Sequence, residues 1–135
     1  MIAYLKGTLV HINQDSIIID VNGVGYKVYI PSYSLGPDIN IGSEIKVYTH
    51  FYVRENMQDL YGFLTMEELK MFEQLLTVSG VGPKAAVSIV SVISPSDFAL
   101  SVLSENADNL TKAPGIGKKT AQRIVLELKD KIKKE

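Results

Sequence analysis

The stretch Val78–Ala86, VSGVGPKAA, returns thirty-five residues later as Ala113–Ala121, APGIGKKTA. Carried four residues further, to Val90 and Val125, the copies share Gly, Gly, Lys, Ala, Ile and Val at matching places in a window of thirteen. Spaced agreement of this kind marks two copies of one structural device. Each copy holds an apolar residue between two glycines, Gly80-Val81-Gly82 and Gly115-Ile116-Gly117, where one helical stretch ends and the next begins. Glycine permits left-handed or closely approached backbone there, and Val81 and Ile116 are expected to anchor each turn in a core. The helix that follows opens with unpaired N–H groups and the positive end of its dipole, which suits phosphate oxygens. Lys84, Lys118 and Lys119 fall within those first turns and can add ionic contacts.

Three other readings of the glycines compete. A Walker A loop requires G-x-x-x-x-G-K-[ST], but Gly117-Lys118 is followed by Lys119 and Lys112 stands where the first glycine belongs. Gly80 to Ala85 satisfies G-x-G-x-x-A, yet a dinucleotide site needs a preceding strand of a parallel sheet, and helical periodicity precedes it here. Two tight turns without a ligand would suffice for a single copy. Duplication with matching lysines, in the basic part of the chain, favours phosphate.

Around the copies the periodicity is helical. Thr65, with Glu68 three residues on, caps a stretch whose Leu69, Phe72, Leu75 and Leu76 share one face. Helices are expected at about 83–93, 95–104, 107–112 and 118–133, the last with Ala121, Ile124, Val125, Leu128 and Ile132 on one stripe. Upstream the runs GTLVHI, SIIIDV, YKVYI and EIKVYTHFYV are β-branched and aromatic, and turn residues separate them. Asn22-Gly23 is a hairpin signal because both residues tolerate positive φ. About five short strands in some sixty residues hide their edges best by closing, so a five-stranded OB-fold barrel is expected. The fold class is therefore α+β in two domains, a barrel over 1–63 and a helical domain over 64–135, with hairpins at about 78–90 and 113–125.

Length, charge and composition constrain function. With 135 residues, each half is small and favours packing on the other half or on further subunits. Zero cysteines exclude disulfides and thiolate metal sites. The start MIAYLKGTLV lacks a basic region followed by a long apolar run, so a cytoplasmic protein is expected. The net charge of −1 conceals an asymmetry: residues 1–62 carry four bases against six acids, residues 110–135 eight bases against three acids. Positive charge focused on the second copy can attract a polyanion. The last few lysines read as a solvated end of the terminal helix.

The apolar-x-Gly-apolar-Gly pattern, with alanine four positions on and basic residues between, is similar to the helix-hairpin-helix motif of DNA-binding proteins. Two copies imply phosphate contacts across a duplex, which position nucleic acid without reading its sequence. The words MIAYLKGTL, DVNGVGYKV, HFYVRENMQDLYGF and PGIGKKTAQRIVLELKDK extend the resemblance over essentially the whole chain. They resemble the RuvA family, the Holliday-junction-binding subunits of the bacterial RuvAB branch-migration machine.

That resemblance implies a fourfold homotetramer whose concave face holds an open, square four-way DNA junction, with a second tetramer able to close over the other face. Gly80, Val81, Gly82 and Lys84 would serve the first hairpin; Gly115, Ile116, Gly117, Lys118, Lys119 and Arg123 the second. The hexameric ATPase RuvB would supply ATP hydrolysis, so this chain is expected to be non-catalytic, with no cofactor and no metal. The family places an acidic pin at the tetramer centre, where this chain has Glu55 and Asn56, with Asn56 standing where a second acid is common. Family members continue into a small motor-binding domain that this sequence, ending at KDKIKKE, does not contain, so motor coupling is expected to be lost while junction binding and tetramerisation persist.

Two rival classes are weighed. All seven tyrosines fall in the strand half, where aromatic faces on an OB barrel could stack single-stranded bases; that half is net acidic, and the tyrosines suit core or subunit packing better. A generic duplex-binding module is the lesser form of the same reading. An enzyme is disfavoured: His11 and His50 lack a carboxylate–histidine pattern at metal spacing, no G-x-S-x-G occurs, and Glu67, Glu68 and Glu73 lie at solvent-face spacing on a helix.

Overall fold

In a computed structural model, which describes residues 1–31 and 33–133, five strands occupy the first half of the chain. They are β1 (Tyr4–Ile12), β2 (Ser16–Val21), β3 (Val24–Tyr29), β4 (Glu44–Arg54) and β5 (Met57–Phe63). Their order, β1-β2-β3-β5-β4, closes into a barrel, with β3 parallel to β5 and every other pairing antiparallel. The expected OB-type barrel is present. Alternation builds it: on β4, Ile45, Val47 and Thr49 are buried while Glu44 and Lys46 are exposed. Leu9, Ile17, Ile19 and Val28 fill the centre with Val47. The buried Thr49 hydroxyl donates to the Ile2 carbonyl, so the one polar side chain turned inward on β4 is satisfied. Asn22-Gly23 makes the β2–β3 reversal with φ of 53° and 89°, and the Gly23 N–H donates to Asp20 Oδ1 at 2.8 Å.

Tyrosines line the outer wall of β3, β5 and β4. Tyr29 stacks on Tyr61 with ring centroids 5.4 Å apart, and Tyr52 meets Tyr61 edge-on at 6.1 Å. Lys27 lies 5.2 Å over Tyr29, and the Arg54 guanidinium 4.0 Å over Tyr52. These rings are therefore engaged with one another. Tyr61 is only 5% exposed, and burial, with the nearby Asp59 charge, pushes its hydroxyl up to about 12. A raised phenol leaves the folded state holding a proton that the unfolded chain releases near pH 10. Stability should therefore be intact below pH 10 and fall between pH 10 and 12, by about 2 to 3 kcal/mol from this group. Denaturant melts across that range should show Tyr61→Phe declining less steeply; Tyr33, raised by burial and by Glu68, supplies part of the remaining slope. An unchanged decline in Tyr61→Phe would show that the barrel wall does not hold this proton.

The chain divides into two compact units, Met1–Leu69 and Lys70–Glu135. Helix α1 (Met66–Leu76) runs across the division. Thr65 Oγ accepts the Glu68 N–H at 3.2 Å, as the capping pattern predicts. The Glu68 carboxylate turns to hydroxyls instead of the Thr65 amide, receiving Thr65 at 2.8 Å and Tyr33 at 2.5 Å. The second unit continues through α2 (Pro83–Val92), α3 (Pro95–Leu103) and α4 (Lys118–Lys133). Ser94 caps α3 by accepting the Asp97 N–H. Residues Ala107–Lys112 form the helix expected there, with 3-10 geometry. Short helices favour this tighter geometry; the Asn109 amide donates to Ser101 Oγ at 2.8 Å and Thr111 Oγ1 to the Asp108 carbonyl at 2.6 Å. Ala121, Ile124, Val125 and Leu128 are buried as one stripe of α4, with Ile132 half-buried below them. Lys134 and Glu135, part of the terminal charge count, lie outside the described residues, as does the Lys133 side chain. Among the described residues no single helix is long and apolar enough to cross a membrane.

Candidate nucleic-acid interface

The two glycine copies fold alike, bond for bond. Gly80 and Gly115 carry φ of 84° and 83°, a left-handed backbone that side chains resist. The Val81 N–H reaches the Val78 carbonyl at 3.1 Å, and the Ile116 N–H reaches the Ala113 carbonyl at 3.1 Å. Val81 and Ile116 are each 6% exposed, so both turns are pinned from beneath as expected. The Gly82 and Gly117 carbonyls accept the first helical bonds, from Ala86 and Ala121, each at 3.0 Å. Repeat positions Ala86/Ala121, Ile89/Ile124 and Val90/Val125 are all buried. The duplication is thus a duplicated core as well as a duplicated turn.

What each turn offers to solvent follows from its second glycine. Gly82 is extended at φ −93°, ψ −180°, and Pro83 opens α2 where a missing N–H costs nothing. A Cβ built on Gly82 or Gly117 meets no atom within 4 Å. Bare backbone faces open space at both sites, beside the positive end of a helix. Lys84, Lys118 and Lys119 are exposed on the first turns of those helices. Each hairpin therefore joins accessible backbone to a mobile cation, which suits one phosphate group.

Arg123 is placed differently from the other predicted site residues. It belongs to α4, the helix of the second hairpin, but its Nη1 lies 3.5 Å from the Ser79 carbonyl of the first and 3.6 Å from where a Gly80 Cβ would stand. Ser88 of α2 donates to the Pro114 carbonyl at 2.9 Å, so each helix touches the other's turn. Ser79 and Ser88 join the hairpin site by these contacts, Glu127 by accepting from the Ser79 N–H and Lys131 by donating to Thr77 Oγ1; none was among the predicted residues. The available signal was positional: Ser88 and Arg123 occupy the same place in the two copies.

Glu55 and Asn56 form the tip of the β4–β5 hairpin, between paired Arg54 and Met57, and both are exposed. Neither has positive φ, so this is not the turn type used at Asn22-Gly23. Asp59 lies back along the strand opposite Tyr52, half-buried and away from the tip. His11 contacts Asn13 Oδ1 at 2.9 Å, and the His50 ring tilts against Tyr52. Among the described residues no three His, Cys, Asp or Glu side chains are grouped to hold a metal ion.

An OB-type barrel followed by a tandem helix-hairpin-helix unit defines the class of protein. Residues 1–62 match the RuvA N terminal domain, and residues 72–130 match the SAM-like helix-hairpin-helix tandem. The Holliday junction branch migration complex subunit RuvA of Acetivibrio thermocellus is 58% identical over all of this chain and 67% of its own length. The proteins of the same name from Ruminiclostridium cellulolyticum and from a Thermoanaerobacter species are 56% and 50% identical, with 68% and 72% of their lengths covered. The chain belongs to the RuvA family.

Proposed function

We propose that this chain binds four-way DNA junctions by their shape and holds them open and square for branch migration. The observation that supports it most is the pair of turns with the same backbone bonds, each presenting bare glycine backbone and at least one exposed lysine. In a fourfold homotetramer each subunit's pair would grip the phosphates of one arm, and backbone contacts of this kind carry no sequence preference. Catalysis would belong to the family's partner ATPase RuvB; this chain supplies the DNA-binding part, in the cytoplasm, with its coupling to the motor lost. The exposed Glu55 tip is the acidic pin that keeps phosphates off the centre. With Asn56 beside it, four subunits contribute one carboxylate each in place of two, and repulsion scales with the product of the charges.

The test is a salt-titrated comparison of a labelled immobile four-way junction, a linear duplex and a single strand of matched length, with assembly mass measured in parallel. Strong preference for the junction by a tetramer or octamer, weakening as salt rises, is the expected outcome. Equal affinity for linear duplex by a monomer would reduce the chain to a generic double-hairpin module, and preference for the single strand would move the site to the barrel. An Asn56→Asp arm should weaken junction binding at low salt and converge with the natural chain at high salt, where screening removes the added repulsion.

A further inference from the structure

Arg123, Glu127 and Lys131 recur every four residues along α4 and so share one face. All three reach the loop of the first hairpin. Arg123 lies against the Ser79 carbonyl, the Ser79 N–H points to Glu127 Oε1 at 3.4 Å, and Lys131 Nζ donates to Thr77 Oγ1 at 3.1 Å. The same contact runs the other way from Ser88 to the Pro114 carbonyl. Ser88 corresponds to Arg123, and Ser79 to Pro114, across the thirty-five-residue repeat. Each helix thus holds the carbonyl that precedes the other hairpin's first glycine.

The two loops need this support unequally. Pro114 fixes its own φ and has no N–H to satisfy. Ser79 is free in φ and carries an N–H, and α4 engages both its amide and its carbonyl. A carboxylate beside an anion-binding turn is electrostatically adverse. We propose that Glu127 is a positioning residue for the first phosphate-binding turn, and that the exchanged contacts set the spacing between the two turns. The inference rests on the phosphate-clamp reading above.

The sign of the Glu127 effect decides it. As a bystander charge, Glu127 would weaken DNA binding, and its removal would help. As a positioning residue it strengthens binding. Glu127→Ala should bind the immobile junction roughly five- to tenfold more weakly although a negative charge has gone, with an unchanged salt slope because no phosphate contact is lost. Glu127→Gln keeps a carbonyl oxygen for the Ser79 N–H and should recover tight binding. Amide hydrogen exchange, read without DNA, should be faster over residues 77–82 in Glu127→Ala, while α4 amides near Ile124 report that the unit is folded. Junction binding by Glu127→Ala equal to or tighter than the natural chain, with unchanged exchange, would overturn the proposal. A natural chain with no junction preference would instead sink the clamp reading, and the exchange result would still decide whether α4 positions the loop.

Discussion

Alanine at Lys84, Lys118 and Lys119 together should abolish measurable junction binding near physiological salt while leaving the chain folded. All three side chains are exposed, and none forms an ion pair among the described residues. Their removal should therefore change stability by less than about 0.5 kcal/mol. Binding is different because the fourfold assembly proposed above would multiply every substitution. Each position would then supply four phosphate contacts, so losing one position should lower the salt slope by roughly 3 to 4. If each exposed contact contributes about 0.3 to 0.5 kcal/mol, the dozen or so lost in the triple variant sum to roughly 4 to 6 kcal/mol. That is about three to four decades in affinity. Fluorescence anisotropy at several salt concentrations measures both quantities. A triple variant with the natural slope would show these lysines to be solvated surface, and the phosphate sites would have to lie elsewhere.

The lysines and glycines were legible from the sequence because the motif is local: a turn of five residues, a helix start and the charges on it are all set by near neighbours. Repetition made the reading stronger, since Val81 and Ile116 are buried at matching positions for one reason. The barrel was legible for a related reason, as alternation along β4 and the Asn22-Gly23 turn are short-range signals. Contacts between the copies were not. Periodicity places Arg123 on the exposed side of α4 but says nothing of which turn it will touch, and the chain carries it to Ser79, forty-four residues away. Glu68 shows the same limit: its cap with Thr65 follows from spacing, while its bond to Tyr33 depends on how the loop after β3 returns. The helix at Ala107–Lys112 was legible from an apolar residue and a boundary, whereas its 3-10 geometry was not, because length and local hydrogen bonds decide which kind forms.

The second glycine of each turn should separate binding from stability more cleanly than any charge. Gly82 has a backbone that any residue adopts, and a methyl group there or on Gly117 enters empty space. Alanine is a poorer helix cap than glycine, by a few tenths to about 1 kcal/mol. It also reduces the freedom of the unfolded chain, which contributes about 0.4 to 1 kcal/mol in the opposite direction. The terms nearly cancel, so Gly82→Ala/Gly117→Ala should melt within a degree or two of the natural chain. Gly80→Ala or Gly115→Ala must instead hold φ near 84° or 83°, costing about 1 to 2 kcal/mol each and several degrees of melting temperature. Junction affinity should reverse this ranking. On the proposed clamp, the methyl groups of Gly82→Ala/Gly117→Ala would occupy the space through which a phosphate reaches backbone N–H groups, and a charge-assisted hydrogen bond contributes about 1.5 to 3 kcal/mol. Repeated through the four subunits proposed, that loss should exceed a hundredfold. A double variant that melts normally and binds normally would mean that backbone amides do not touch phosphate. The hairpins would then be lysine-bearing scaffolds, and the salt slope of the lysine variant would have to account for all of the binding.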